Sequence, residues 1–176
     1  MLVYIDETGA DRKSSLRKYA YSLRGKPAVQ HCLLVRGVRI SAIACMSTKG
    51  VIDVKTVRGT SDGDTFYEFV QSHLIQYLMP FNGVNPHSVV LLDNCAIHHV
   101  IEVTATLRDI GVLVQFLPPY SPDFNPLEEA FSKVKANLKS NTDDSYDPET
   151  LLLASFASIT PDDCRSWISH PGIYNN

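Results

Sequence analysis

No two of the four cysteines, Cys32, Cys45, Cys95 and Cys164, form a CxxC pair. That argues against a zinc site or a disulfide-stapled scaffold and suits a reducing compartment. No apolar run approaches the length of a membrane span, and the N-terminus, MLVYIDETG, has neither a basic leader nor a cleavage-like site. Repeats, low-complexity tracts and the glycine-rich signatures of nucleotide-binding loops are missing too. These absences leave a soluble, intracellular chain with no membrane partner as the expectation. Its 176 residues suffice for one domain with a proper core.

Acid is scarce in the first third. Residues 1–60 hold eleven Lys/Arg against four Asp/Glu, whereas residues 61–176 hold five against fifteen, so the net charge of −3 conceals a basic start. The stretch DRKSSLRK, with Arg12 and Lys13, and then Arg24, Lys26, Arg36 and Arg39, reads either as a polyanion-facing surface or as an ordinary solvated face.

The patterning changes along the chain. LVYID is too short for a helix and predicts a strand closing on Asp6, with a loop over the polar stretch 8–18. QHCLLVRGVRISAIACMS and GVIDVKTVRG predict two more strands joined by a turn at STKG. TSDGDTFYEFVQSHLIQYLM has helical spacing, with Phe66, Phe69, Val70, Leu74 and Leu78 on one side. SVVLLDN predicts a strand closing on Asp93, HHVIEVTATLRDIG a helix ending at Gly111, and VLVQFLP another strand. A helix over 126 to about 139 follows, then a polar connection and closing helices from about 148, one starting at Thr160-Pro161-Asp162-Asp163. Three sequential strands followed by alternation predict an α/β fold, a mixed sheet with helices on both faces. Should the strands ending at Asp6 and Asp93 lie parallel and adjacent, both acids emerge at one sheet edge, where active sites of open α/β sheets gather.

The segment PPYSPDFNPLEEAFSKVK packs four prolines into nine positions and then becomes helical. With Asn125 as N-cap and Pro126 at the first helical position, Glu128 falls where a capping box would use it. Capping alone explains that pattern. At about 100° per residue, Leu127, Phe131, Val134 and Leu138 form the core-facing stripe, and Glu129 lies opposite it, paired with Lys133. Glu128 borders the stripe, on a flank continued by Ser132, Lys135 and Lys139. Capping accounts for the acid but not for that basic flank, which suits phosphate contacts.

Asp6, Asp93 and Glu128 are thus three acids delivered to one region. Clustered carboxylates repel one another unless a cation neutralises them. Hard oxygen ligands without cysteine favour Mg²⁺ or Mn²⁺ over zinc. Two such ions roughly 3.5–4 Å apart serve phosphoryl transfer.

YIDETG, LLDNCAIHH and PPYSPDFNPLEEAFSKVK resemble the three signature regions of the mariner superfamily of DDE transposases, from about residue 3 to 140. Thirty-four residues separate Asp93 from Glu128, the interval typical of one large branch of that family. The resemblance implies an RNase H-like catalytic domain over 1–176, with its core in about 1–140 and C-terminal helices in about 148–170. It further implies two Mg²⁺ (or Mn²⁺) ions held by Asp6, Asp93 and Glu128 as catalytic triad, and DNA cutting and strand transfer at transposon ends. Double-stranded DNA, as transposon end and as target, is then the partner, bridged by a homodimer, with integration at TA dinucleotides. A nuclear location follows for a eukaryotic host, cytoplasm or nucleoid otherwise. Family members carry a helix-turn-helix region ahead of the catalytic part; only five residues precede Asp6, so that region is expected to be absent.

Further candidates are weaker. His98 and His99 read either as metal or proton-transfer groups or as residues that open a helix or bond to backbone. Asn94 reads either as a residue that orients Asp93 or touches substrate, or as a turn former. Asn94 and His98 are the candidates for a supporting layer behind the acids. Glu7 reads either as a spare ligand or, in preference, as a loop charge. A phosphatase-type Asp nucleophile would want a second acid two positions after Asp6, where Thr8 stands. Two rivals remain: a non-catalytic, transposon-derived DNA-binding or interaction module, and a nuclease of the same fold that cuts without joining.

Overall fold

Successive strand residues turn to opposite faces and build one sheet with a core on each face. The computed structural model describes residues 1–10, 21–28, 39–95, 98, 101–140 and 147–170. Strands β1 (Leu2–Ala10), β2 (Ile40–Ser47), β3 (Gly50–Arg58), β4 (Val89–Leu92) and β5 (Leu113–Phe116) lie in the order β3-β2-β1-β4-β5. The β1–β2 and β2–β3 pairs are antiparallel, and β1–β4 and β4–β5 are parallel. Tyr4, Ala42, Ala44 and Met46 face helices α3 (Pro126–Ser140), α4 (Pro148–Ala157) and α5 (Pro161–Ser169). Val3, Ile5, Ile43 and Cys45 face α1 (Gly63–Phe69) and α2 (Ile101–Asp109). Cys45, Cys95 and Cys164 are free thiols. No helix among the described residues is long and apolar enough to cross a membrane.

Two boundaries differ from the sequence expectation. β1 does not stop at Asp6 but runs to Ala10, because β2 keeps pairing with it from Tyr4↔Met46 to Ala10↔Ile40, and every β2 residue is buried. Thr8 to Ala10 are therefore strand rather than loop. The helical segment after Gly63 is not one uniform helix. It passes into a π-helical turn (Val70–Leu74) and a 3₁₀ turn (Ile75–Tyr77), with Leu78 already extended. Pro80 lies just beyond and disfavours further helix. Phe66, Phe69, Val70 and Leu74 are buried as the spacing requires, and Leu78 only partly so. Strand residues expected over 30–38, the whole basic stretch 11–18, and 141–146 of the polar connection lie outside the described residues.

The other ends follow local rules. α2 closes in a Schellman turn, with the Val112 N–H donating to the Leu107 carbonyl (3.0 Å) and the Gly111 N–H to that of Arg108 (2.8 Å). Gly111 supplies the positive φ of 78° that this turn demands. α5 begins in a capping box between Thr160 and Asp163.

Candidate active site

Register brings the first two acids together. In the parallel β1–β4 ladder the last pair is Ile5↔Leu92, so Asp6 and Asp93 are the next residue on each strand. Beyond that point β4 leaves the sheet and β1 continues against β2 alone. Asp93 begins an Asx turn, its Oδ1 accepting from the Cys95 N–H at 2.9 Å.

Period-two alternation turns neighbouring acids to opposite faces. Asp6 goes to the α3 side, is buried, and accepts from its neighbour's N–H through Oδ1 (Glu7 N, 2.7 Å) and from Asn125 Nδ2 through Oδ2 (2.6 Å). Glu7 goes to the α1 side, where Oε2 meets Nε2 of the fully buried His98 at 2.9 Å. The other ring nitrogen of His98 lies 2.5 Å from Asp93 Oδ1, and its ring sits 4.5 Å from that of Phe66. One imidazole thus bridges two carboxylates. Glu7 is a strand residue with a partner, not a loop charge.

The electrostatics follow from this crowding. Burial raises the Asp6 carboxyl to about 7, with the Asp93 and Glu7 charges adding to the rise and the Glu7 N–H and the His98 charge opposing it. Burial would lower the His98 pKa, yet hydrogen bonds to Asp93 and Glu7, and their charges, outweigh it and hold the ring up at about 10. Asp6, Glu7 and His98 each offer a ligand atom within 4.8 Å of the others. Glu7 Oε1 and Thr8 Oγ1 are buried and lack a hydrogen-bond partner among the described residues. Crowded acids with an orphaned carboxylate oxygen fit a hard divalent cation.

Glu128 is placed differently. It is exposed on the first turn of α3 and stands outside the Asp6–Glu7–His98 cluster. It lines an open groove with Pro122, Asn125, Ser132, Trp167 and His170. The capping box does not form. Asn125 caps α3, accepting from the Leu127 N–H through Oδ1 (3.1 Å), but its own N–H is taken by the Pro122 carbonyl (2.8 Å) and is not available to the Glu128 side chain. Nor does Glu129 pair with Lys133. Lys133 reaches Asp163 on α5 (2.6 Å) and Glu129 reaches His170 (3.0 Å), because α5 packs beside α3 with Asp163 in its first turn and His170 just past its end. Leu127, Phe131, Val134 and Leu138 are buried as the stripe predicts; Lys135 is half-buried and Lys139 exposed. Asn94 is exposed in the bend after β4, and Arg12, Lys13 and His99 lie outside the described residues.

Residues 1–149 match the family model described as DDE superfamily endonuclease. The chain belongs to that family. Solved structures similar to this DDE domain include a pre-cleavage Mos1 transpososome (21% identity, TM-score 0.72). The Mos1 mariner paired end complex with Mn (20%, 0.69) and the catalytic domain of Mos1 mariner transposase (17%, 0.63) are similar too. Each likeness covers 95% of this chain, against 51%, 51% and 74% of the respective Mos1 chains. The chain therefore spans about half the length of the transposase in the two DNA-end assemblies. No curated protein matches the sequence. The mixed five-stranded sheet with helices on both faces is the RNase H-like α/β fold expected from the three signatures.

Two contacts escaped the sequence reading: Asn125 to Asp6, and Glu7 to His98. The second had a signal. Strand alternation places Glu7 opposite in direction to Asp6, into an apolar layer where an acid needs a partner.

Proposed function

We propose that this DDE domain is a metal-dependent DNA endonuclease and strand transferase, acting at transposon ends, with Asp6, Asp93 and Glu128 as its metal-holding carboxylates. The observation that carries the reading is the parallel register ending at Ile5↔Leu92, which sets Asp6 and Asp93 side by side at one sheet edge. Divalent ions bound there, two per site as in the family resemblance, would activate an attacking oxygen and stabilise the departing 3′ oxygen of a phosphodiester.

The chain's own residues have separate tasks. Asp6 and Asp93 present oxygen donors from adjacent strands, and Glu128 presents a third from the start of α3, facing the groove. His98, anchored by Glu7, restrains the Asp93 carboxylate and offsets its charge. Lys135 and Lys139 continue the Glu128 flank toward the DNA backbone, and Arg12 and Lys13 are assigned to phosphate contacts on their charge alone. Such contacts are insensitive to sequence, so end recognition is assigned to no residue described above.

The test is Mn²⁺-dependent cleavage of a DNA duplex by wild type, Asp93→Asn and Glu128→Gln. Both variants are expected to fold and to fall to background cleavage. Unchanged cleavage by the folded Asp93→Asn variant would remove Asp93 from the chemistry, and full activity in Glu128→Gln would return Glu128 to a surface role. Joining of the cut ends to a second duplex separates a transposase-type enzyme from a nuclease. DNA binding without cleavage in wild type would mark a non-catalytic module.

A further inference from the structure

Asn125 does two jobs with one amide. Its Oδ1 accepts from the Leu127 N–H at 3.1 Å and caps α3, while its Nδ2 donates to Asp6 Oδ2 at 2.6 Å. Its backbone carbonyl also accepts from the Glu128 N–H at 3.1 Å. The side chain is buried, and the partners fix its orientation. Flipping the amide would set Nδ2 against an N–H and Oδ1 against a carboxylate. Among the usual helix caps, Asp would put a second carboxylate on Asp6, while Ser and Thr are too short to span both partners. Asn supplies an acceptor and a donor at once.

We infer that Asn125 is a positioning residue for the metal site, locking the Asp6 carboxylate to the first turn of the helix that carries Glu128. This rests on the metal-site reading above and adds what holds two of its acids, far apart in sequence, at one separation. By donating to Oδ2, the amide would fix the orientation of the Asp6 carboxylate while leaving lone pairs on both oxygens for a cation, as partners behind a first ligand commonly do. It also keeps α3 from sliding along β1 without breaking that bond.

Asn125→Ser separates the two jobs, because serine caps a helix about as well as asparagine but cannot reach Asp6. Asn125→Thr serves as a second such variant, and Asn125→Ala removes both contacts. Mn²⁺ affinity, followed by electron paramagnetic resonance, is expected to weaken about tenfold or more in all three variants. The melting temperature without metal is expected to drop in all three, which lose the bond to Asp6, and furthest in Asn125→Ala, which loses the cap as well. Wild-type Mn²⁺ affinity in Asn125→Ser and Asn125→Thr would overturn the inference, leaving Asn125 a cap and no more. So would a melting loss in those two equal to that of Asn125→Ala. No Mn²⁺ binding by wild type would instead bring down the metal-site reading itself, a result distinct from either.

Discussion

His98 is the residue that ties two acids of the candidate site together. It is fully buried between Glu7 and Asp93, and its pKa is held near 10 rather than near 6.5. A folded pKa above the unfolded one means that the folded state binds the extra proton. The stabilisation is therefore complete below about pH 6.5 and is lost as pH rises toward 10. Asp6, raised to about 7, acts in the same direction at lower pH, between about 4 and 7, since its ionisation is harder in the fold than in the unfolded chain. Denaturant unfolding of wild type and His98→Gln in the presence of a chelator isolates the histidine. The advantage of wild type is expected to shrink between pH 6.5 and 9.5, with a limiting slope of ~1.4 kcal/mol per pH unit. A difference independent of pH would mean that the ring acts by shape alone. Divalent cation should flatten the Asp6 part of the profile, because a bound ion takes over from the proton in neutralising that carboxylate.

At the scale of elements, what could be read in the sequence is what local rules decide. The α3 stripe, the Thr160 cap, the glycine at the end of α2 and the strand-and-helix order follow from periodicity and capping chemistry. Where β1 ends does not, since its continuation past Asp6 depends on β2, whose pairing partners lie 30 or more positions away in sequence. The Lys133–Asp163 pair depends likewise on α5. The bond from Asn125 to Asp6 joins the two ends of the candidate site, and no local pattern encodes it. The α2 end gives the sharpest test of a local rule. Gly111 holds φ 78°, and a Cβ there would meet Pro80 Cβ at 3.2 Å. Gly111→Ala is expected to cost about 1 kcal/mol or more in denaturant unfolding, with cooperativity retained. A neutral result would mean that the turn relaxes to another cap and that the start of β5 does not depend on this geometry.

For the molecule as a whole, charge arrangement matters more than net charge. At −3 overall, the protein gains nothing from its total charge in approaching DNA; attraction has to come from local basic surface. The site edge itself is acidic, with Asp6, Glu7 and Asp93 close together. Basic residues therefore have to flank it, and α3 puts Lys135 and Lys139 on the continuation of the Glu128 side. On the proposed function these lysines neutralise phosphates without reading bases. Binding to any duplex should then weaken steeply with salt, because each phosphate contact releases condensed counterions. Lys135→Ala combined with Lys139→Ala is expected to lower the slope of log affinity against log salt by about 2, one for each lost contact. Affinity should fall alike for unrelated duplexes, with the melting temperature nearly unchanged, since neither side chain is in the core. An unchanged slope would clear α3 of DNA contact and shift the polyanion surface to the basic first third. Loss of affinity for one sequence only would assign these lysines a reading role that phosphate contacts alone cannot provide.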